Sequence, residues 1–440
     1  IHISSFISQE FAYLFDRTLG PDWYMGSRKP DNIKHIDDIY DEELWRAHEM
    51  NHSRLVRTCR EQLVKQYARR NAPHNVLEAV EAALDPEALT IAFARRFATY
   101  KRASLLLRDP DRLEAIINNP KRPVQFIFAG KAHPKDDEGK ELIKRLFQFA
   151  SKPEVASRII FLEDYDMHLA RHLFQGADVW LNTPRRPLEA CGTSGMKAAV
   201  NGVLNVSILD GWWDEGYTAE SGWRIGNGEE YQDSNYQDAI ESQALYNVLE
   251  NEVIPCFYDR RNSGPPTCWI KKMKASMKMA MESFCSMRMV SEYESRFYIP
   301  SARRWDALNA DKADEAKKLA EQIKRLRGLW KEIKISSPER QVLGPYRVGD
   351  AFQVTSEVHL GELQPTEVDL ELYYGNLKSL EELSASHVEP MTVLEDRGNG
   401  NYLYGCDLTC EISGRFGYTV RAVPRGDERI KSTPHLLTWA

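Results

Sequence analysis

At 440 residues the chain is too long for one ordinary domain, and its net charge of −7 excludes the basic footprint of a general nucleic-acid binder. No apolar run approaches the length of a membrane span, and no secretory segment is visible. Seven cysteines, an odd number without CxxC spacing, suit reduced thiols in a cytoplasmic setting.

Residues 1–85 read as a mostly helical segment. From Asp41 to Tyr67, apolar residues recur at helical spacing, and Leu44, Trp45, Leu55, Val56, Leu63 and Val64 can share a face. Within it, His48-Glu49-Met50-Asn51-His52 matches the HExxH pattern of zinc proteases. The longer metzincin form needs Gly and His where Leu55 and Thr58 stand. We therefore expect no metal here, and a solvated helix face instead.

Over residues 86–310 the pattern changes. Leu89 to Ala94, Pro123 to Phe128, Arg158 to Leu162, Asp178 to Leu181 and Val203 to Leu209 are short apolar runs. Helical stretches separate them, such as Glu138 to Ala150 and Asp166 to Phe174, and another helix is expected from about Lys101. This alternation predicts an α/β domain, a Rossmann-like doubly wound parallel sheet. Such sheets bind ligands beyond the carboxyl ends of their strands. Arg95, Arg96, Tyr100 and Lys101 follow the first run; Gly130, Lys131 and His133 the second. Glu163 and Tyr165 follow the third, and the stretch Glu189 to Lys197 follows the fourth.

Residues 311–338 read as a helix and linker. Leu319, Ile323, Leu326, Trp330 and Ile333 form an apolar stripe expected to pack against the main body, and Ser336-Ser337-Pro338 ends the helix. Residues 339–440 form a different domain. Phe352, Val354, Ser356, Val358 and Leu360 alternate, as do Val368, Leu370, Leu372 and Tyr374, and Phe416, Tyr418, Val420 and Ala422. With turns such as Gly398-Asn399-Gly400 between them, these strands predict an all-β sandwich.

The organising stretch is Glu189-Ala190-Cys191-Gly192-Thr193-Ser194-Gly195-Met196-Lys197. A glycine turn at the start of a helix points backbone N–H groups at one spot and favours an anion such as phosphate. Lys197 is then expected in the first helical turn. The same residues are equally compatible with a capping turn and a solvated lysine. Arg95-Arg96-Phe97-Ala98-Thr99-Tyr100-Lys101-Arg102 concentrates four cations, either a solvated loop or, opposite such a turn, a dianion site.

Glu189 to Lys197, with Asn201-Gly202, Asp210-Gly211 and Trp212-Trp213-Asp214-Glu215-Gly216-Tyr217, resembles the cofactor segment of the α-glucan phosphorylases, closest to their short bacterial branch. The resemblance implies the carboxyl-terminal half of a GT-B glycosyltransferase architecture and covers only the later part of such an enzyme. It implies that Lys197 binds pyridoxal 5′-phosphate covalently, that Thr193, Ser194 and Gly195 hold the cofactor phosphate, and that Tyr165 packs on its ring. By the same resemblance Arg96 and Lys101 hold the substrate phosphate, and Arg95 lies nearer the cofactor phosphate, where the common enzymes have lysine. Glu189, with the Cys191 and Gly192 backbone, is implied to bind the transferred glucose. The animal enzymes read Thr-Gly-Asn where this chain has Thr193-Ser194-Gly195, and they carry an arginine where Asp166 stands.

The implied reaction is retaining phosphorolysis of α-1,4-glucan. Inorganic phosphate, paired with the cofactor phosphate, protonates the glycosidic oxygen and attacks the same sugar face, giving glucose 1-phosphate. A rival reading is a sugar-nucleotide-dependent retaining glucosyltransferase of glycogen-synthase type. Such enzymes commonly place a second carboxylate eight positions after the first, and here that position is Lys197. A third reading is a non-catalytic glucan-binding fragment, because Ile1 matches the position just after the family's Thr-Asn-Gly and the family's amino-terminal domain is absent from this chain. That domain is the expected partner, homo-oligomer formation is left open, and weak or no phosphorolysis is expected of the chain alone.

Overall fold

The computed structural model describes residues 1–28, 30–260, 264–340, 346–379, 382–411 and 413–440. They divide into two compact units, Ile1–Arg296 and Phe297–Ala440. Residues 341–345, within the span expected to form the all-β domain, lie outside the described residues.

The first unit is built on six parallel strands: β1 (Leu89–Ala94), β2 (Val124–Ala129), β3 (Ile159–Leu162), β4 (Val179–Asn182), β5 (Leu204–Ile208) and β6 (Gly222–Ile225). Their order is β3-β2-β1-β4-β5-β6, so the chain winds outward from β1 and then restarts on its other side. This is the doubly wound fold the alternation predicts, and its topological switch point lies between β1 and β4. Every residue of β1 to β5 is buried, because helices cover both faces. Leu89, Ile91 and Phe93 enter one core with Phe126 and Phe128, whereas Ala92 and Ala94 enter the other. Those small residues sit on the face covered by the helices Asp41–Ala68 and Met167–Gly176, through Leu55, Val56, Leu63, Leu173 and Phe174.

Two local expectations change. No long helix starts at Lys101: Thr99–Lys101 is a single tight turn, and the helix is Pro110–Ile117, capped by the Asp109 side chain on Arg112 N. The His48–His52 stretch is not a solvated face. His48 and His52 are 1% and 5% exposed, and His48 Nε2 lies 2.7 Å from Asp178 Oδ1. Asp178 Oδ2 accepts from Thr90 N at 2.7 Å, and His52 Nδ1 lies 2.9 Å from the Gly176 carbonyl. The two histidines thus tie their helix to the starts of β1 and β4.

In the second unit the helix Ile299–Leu329 is interrupted at Asp311, Lys312 and Ala313, all left-handed. It precedes β7 (Lys334–Ile335), β8 (Glu339–Arg340), β9 (Ala351–His359), β10 (Val368–Ser379), β11 (Glu382–Gly398), β12 (Asn401–Thr409), β13 (Phe416–Pro424) and β14 (Thr438–Trp439). β11 pairs with β10 along its first half and with β12 along its second, so one long strand passes from one antiparallel layer to the other. The order β14-β13-β10-β11-β12-β9-β7 brings the ends near each other in an almost closed sheet. Val354, Val358, Leu360, Val368, Leu370, Leu372, Val420 and Ala422 fill its core. Leu326, Trp330 and Ile333 belong to this same core, so the stripe expected to face the main body packs on the β-sheet instead.

Candidate active site

The candidate residues gather where β1 and β4 end. After β1 the two arginines diverge: Arg95 turns inward and is 8% exposed, whereas Arg96 stays exposed. The turn Thr99–Lys101 then brings Lys101 back, and its Nζ donates to Glu189 Oε2 at 2.7 Å. Arg95 Nη1 lies 3.7 Å from the same oxygen. Two cations share one carboxylate, leaving an excess of positive charge suited to an anion. Burial lowers the Arg95 guanidinium to about 10, partly offset by Glu189, which leaves it charged at neutral pH. Its Nε is buried without a hydrogen-bond partner among the described residues. An orphaned buried donor costs about 1–3 kcal/mol, which a bound anion would relieve.

From the end of β4 the chain passes Glu189 and enters the helix Thr193–Val200. Gly192 precedes it at φ 82°, a left-handed conformation that glycine adopts without steric cost. The N–H groups of Thr193 and Ser194 open the helix, where no intrahelical acceptor exists for them. Trp180 Nε1 donates to Ser194 Oγ at 3.3 Å, and Asn205 Nδ2 donates to the Gly195 carbonyl at 3.1 Å, so β4 and β5 hold this turn from below. Cys191 is exposed and burial nearby raises its thiol, while its carbonyl accepts from Trp212 N at 2.8 Å.

Lys197 lies one turn beyond Thr193, deeper than the first turn expected for it. Its Nζ sits 4.4 Å from the Phe6 ring centre and 6.0 Å from that of Phe174, two rings packed edge to face. Ring faces favour the ammonium modestly, but burial dominates and pulls Lys197 below the usual lysine value. A neutral, nucleophilic amine is therefore more accessible than on an exposed lysine. Tyr165 donates to the Ala94 carbonyl at 3.5 Å, and burial raises its phenol, which stays protonated.

Other candidates stand apart. Glu163 pairs with Arg70, and Lys131 and His133 are exposed. Two supports escape a reading of local pattern. Asp210, just after β5, accepts from Glu189 N and Gly211 N, each at 2.9 Å, and burial raises its carboxyl. Arg102, also buried, donates to the Thr183 and Pro184 carbonyls at 2.9 and 2.7 Å and pairs with Asp238 and Glu241. It fastens the loop after β1 to the loop after β4. The Asp210-Gly211 dipeptide was a signal for the first; nothing local marks Arg102 apart from its neighbours.

Residues 8–216 match the model of the carbohydrate phosphorylases, and residues 330–440 match that of the glycogen phosphorylase C-terminal domain. The chain belongs to the carbohydrate phosphorylase family. A glycogen phosphorylase of Mycobacterium tuberculosis is 37% identical over 430 residues, 97% of this chain and 49% of that protein. A maltodextrin phosphorylase of Thermococcus litoralis is 38% identical over 447 residues, covering 100% of this chain and 51% of that protein. A glycogen phosphorylase of Aquifex aeolicus is 46% identical over 298 residues, 68% of this chain and 43% of that protein. This phosphorylase-family chain thus spans about half the length of the curated relatives it matches. Among its described residues no helix is long and apolar enough to cross a membrane.

Proposed function

We propose that this chain carries the cofactor- and phosphate-binding half of an α-glucan phosphorylase, which transfers a glucosyl unit from α-1,4-glucan to inorganic phosphate with retention and releases glucose 1-phosphate. The observation that carries the reading is the meeting of Arg95 and Lys101 with Glu189 at the β1/β4 switch point, Glu189 being on the same segment as a helix N-terminus and a half-buried Lys197.

These residues fit pyridoxal 5′-phosphate. Lys197 supplies the amine for the aldehyde; Thr193, Ser194 and Gly195 supply the helix N-terminus for its phosphate; Tyr165 offers an aromatic wall. The orphaned Arg95 Nε is a further donor for that phosphate. When bound, the cofactor supplies a phosphate group able to hold or give up a proton beside the substrate phosphate. Lys101 and Arg96 hold and orient the substrate phosphate, and their charge stabilises it as the glycosidic bond breaks. Glu189, fixed by Asp210 through its backbone N–H, accepts hydroxyl donors of the transferred glucose, aided by the Cys191 and Gly192 backbone. Residues from the half of the relatives that this chain does not span complete the glucan site, and that half is its proposed partner.

Incubating the chain, joined to that other half, with maltodextrin, phosphate and pyridoxal phosphate tests the reading. Glucose 1-phosphate should accumulate. If the protein instead consumes a nucleotide-linked glucose and shows no phosphorolysis, it is a sugar-nucleotide transferase.

A further inference from the structure

Cys256 and Cys268 are not among the residues given a role above. Cys256 is buried in the short helix Ile254–Tyr258, and Cys268 is exposed in the first turn of the helix Thr267–Ser283. Their sulfur atoms are 2.6 Å apart, well inside van der Waals contact and near the roughly 2.0 Å of a covalent sulfur pair. A small shift therefore separates two thiols from a bond.

We propose that Cys256 and Cys268 are a redox modification site that closes reversibly into a disulfide, with a small-molecule disulfide such as oxidised glutathione as oxidant. Cys268, the exposed member, attacks one sulfur of the oxidant as a thiolate, and one glutathione leaves as thiolate. Cys256 then attacks the Cys268 sulfur of the mixed disulfide, and the second glutathione leaves. Two protein thiols lose two protons and two electrons, and oxidised glutathione becomes two glutathione molecules. The order follows from exposure. Burial and the neighbouring thiol raise Cys256, which suits it to the second, intramolecular step.

The bond would clamp two helices that border the sheet. Tyr258, two residues beyond Cys256, donates to the Pro123 carbonyl at 2.5 Å and accepts from Leu89 N at 3.1 Å. It therefore holds the residues that lead into β1 and β2. Trp269, next to Cys268, is fully buried and packs on Phe257 with ring centres 5.1 Å apart. Oxidation fixes this joint; reduction frees it.

The test treats the full chain with oxidised glutathione, blocks free thiols with iodoacetamide and maps non-reduced tryptic peptides. Trypsin cleaves after Arg260, so the two cysteines fall in different peptides. The proposal expects a Cys256–Cys268 linked pair as the main intramolecular disulfide, lost on reduction. It expects Cys256→Ser to stop at glutathione on Cys268. The oxidised chain should melt roughly 5 °C higher than the reduced one, a difference absent in Cys268→Ser. Alkylation of both cysteines after oxidation, or glutathione retained on Cys268 with Cys256 alkylated in the unsubstituted chain, overturns the site. Equal melting of a linked and a reduced chain overturns the clamp.

Discussion

Lys101 Nζ and Glu189 Oε2 lie 2.7 Å apart, and this ion pair bridges the loops that leave β1 and β4 on either side of the switch point. A substrate phosphate and a sugar hydroxyl would each take up one partner of a pair that is already formed. Losing one charge-assisted contact of this kind costs about 1.5–3 kcal/mol. Lys101→Ala should therefore raise the phosphate KM of the complete enzyme by roughly tenfold or more, leaving the glucan KM nearly unchanged. A phosphate KM that stays constant removes Lys101 from the proposed role.

Lys197 carries a pH signature. Its folded-state value is lowered by burial, so below that value its charge is paid for by the fold. Between the lowered value and the ordinary lysine range the unfolded chain binds the extra proton, so this lysine's contribution to stability rises with pH across that window. In cofactor-free protein, Lys197→Met should raise the melting temperature at neutral pH. The gain should shrink as the pH approaches 10.5, the ordinary lysine value. A gain independent of pH would point to packing rather than charge.

At Gly195 the backbone leaves no room for a side chain. A Cβ would stand 2.6 Å from Asn205 Oδ1, 2.8 Å from Trp212 Nε1 and 2.9 Å from Trp212 Cζ2. Those groups are held by β5 and the core, so Gly195→Ala must shift the first turn of its helix, at about 1–3 kcal/mol. Denaturant unfolding should show that loss, and pyridoxal phosphate binding should weaken in the same variant. Full stability with full cofactor binding would mean that the turn tolerates displacement.

Asp178 holds His48, the Thr90 N–H and the edge of His52 in a buried cluster. Asp178→Ala should cost about 3 kcal/mol, the usual result of stripping one partner from a buried polar group set. The denaturant midpoint reports it, and covalent attachment of the cofactor at Lys197 should persist under native conditions. Adding a zinc chelator to the unsubstituted protein should leave the midpoint unchanged. A chelator-induced drop would return the HExxH match to metal chemistry.

The sheet was legible because β1 to β5 are buried on both faces and read as apolar runs. β6 was not, since Gly222-Trp223-Arg224-Ile225 is short and exposes its arginine. Helical spacing identified Asp41–Ala68, but the burial of His48 depends on Asp178, 130 positions away, which no local pattern carries. The stripe through Leu326 and Trp330 was likewise visible as a stripe, while its destination was set by the β-sheet that follows it. At the site, order along the chain located the loops after β1 and β4. It could not distinguish inward Arg95 from outward Arg96, or lift Arg102 out of a run of cations. Those differences arise from where neighbouring loops place carboxylates and carbonyls.

Covalent trapping at Lys197 tests the account most directly. The chain is supplied with pyridoxal phosphate together with the half of its relatives that it does not span, reduced with borohydride, and mapped by peptide mass. The account predicts a pyridoxyl mass on Lys197 and on no other lysine in comparable yield. An unmodified Lys197 under those conditions contradicts it and leaves the Glu189–Lys197 stretch as a glycine turn capping a helix.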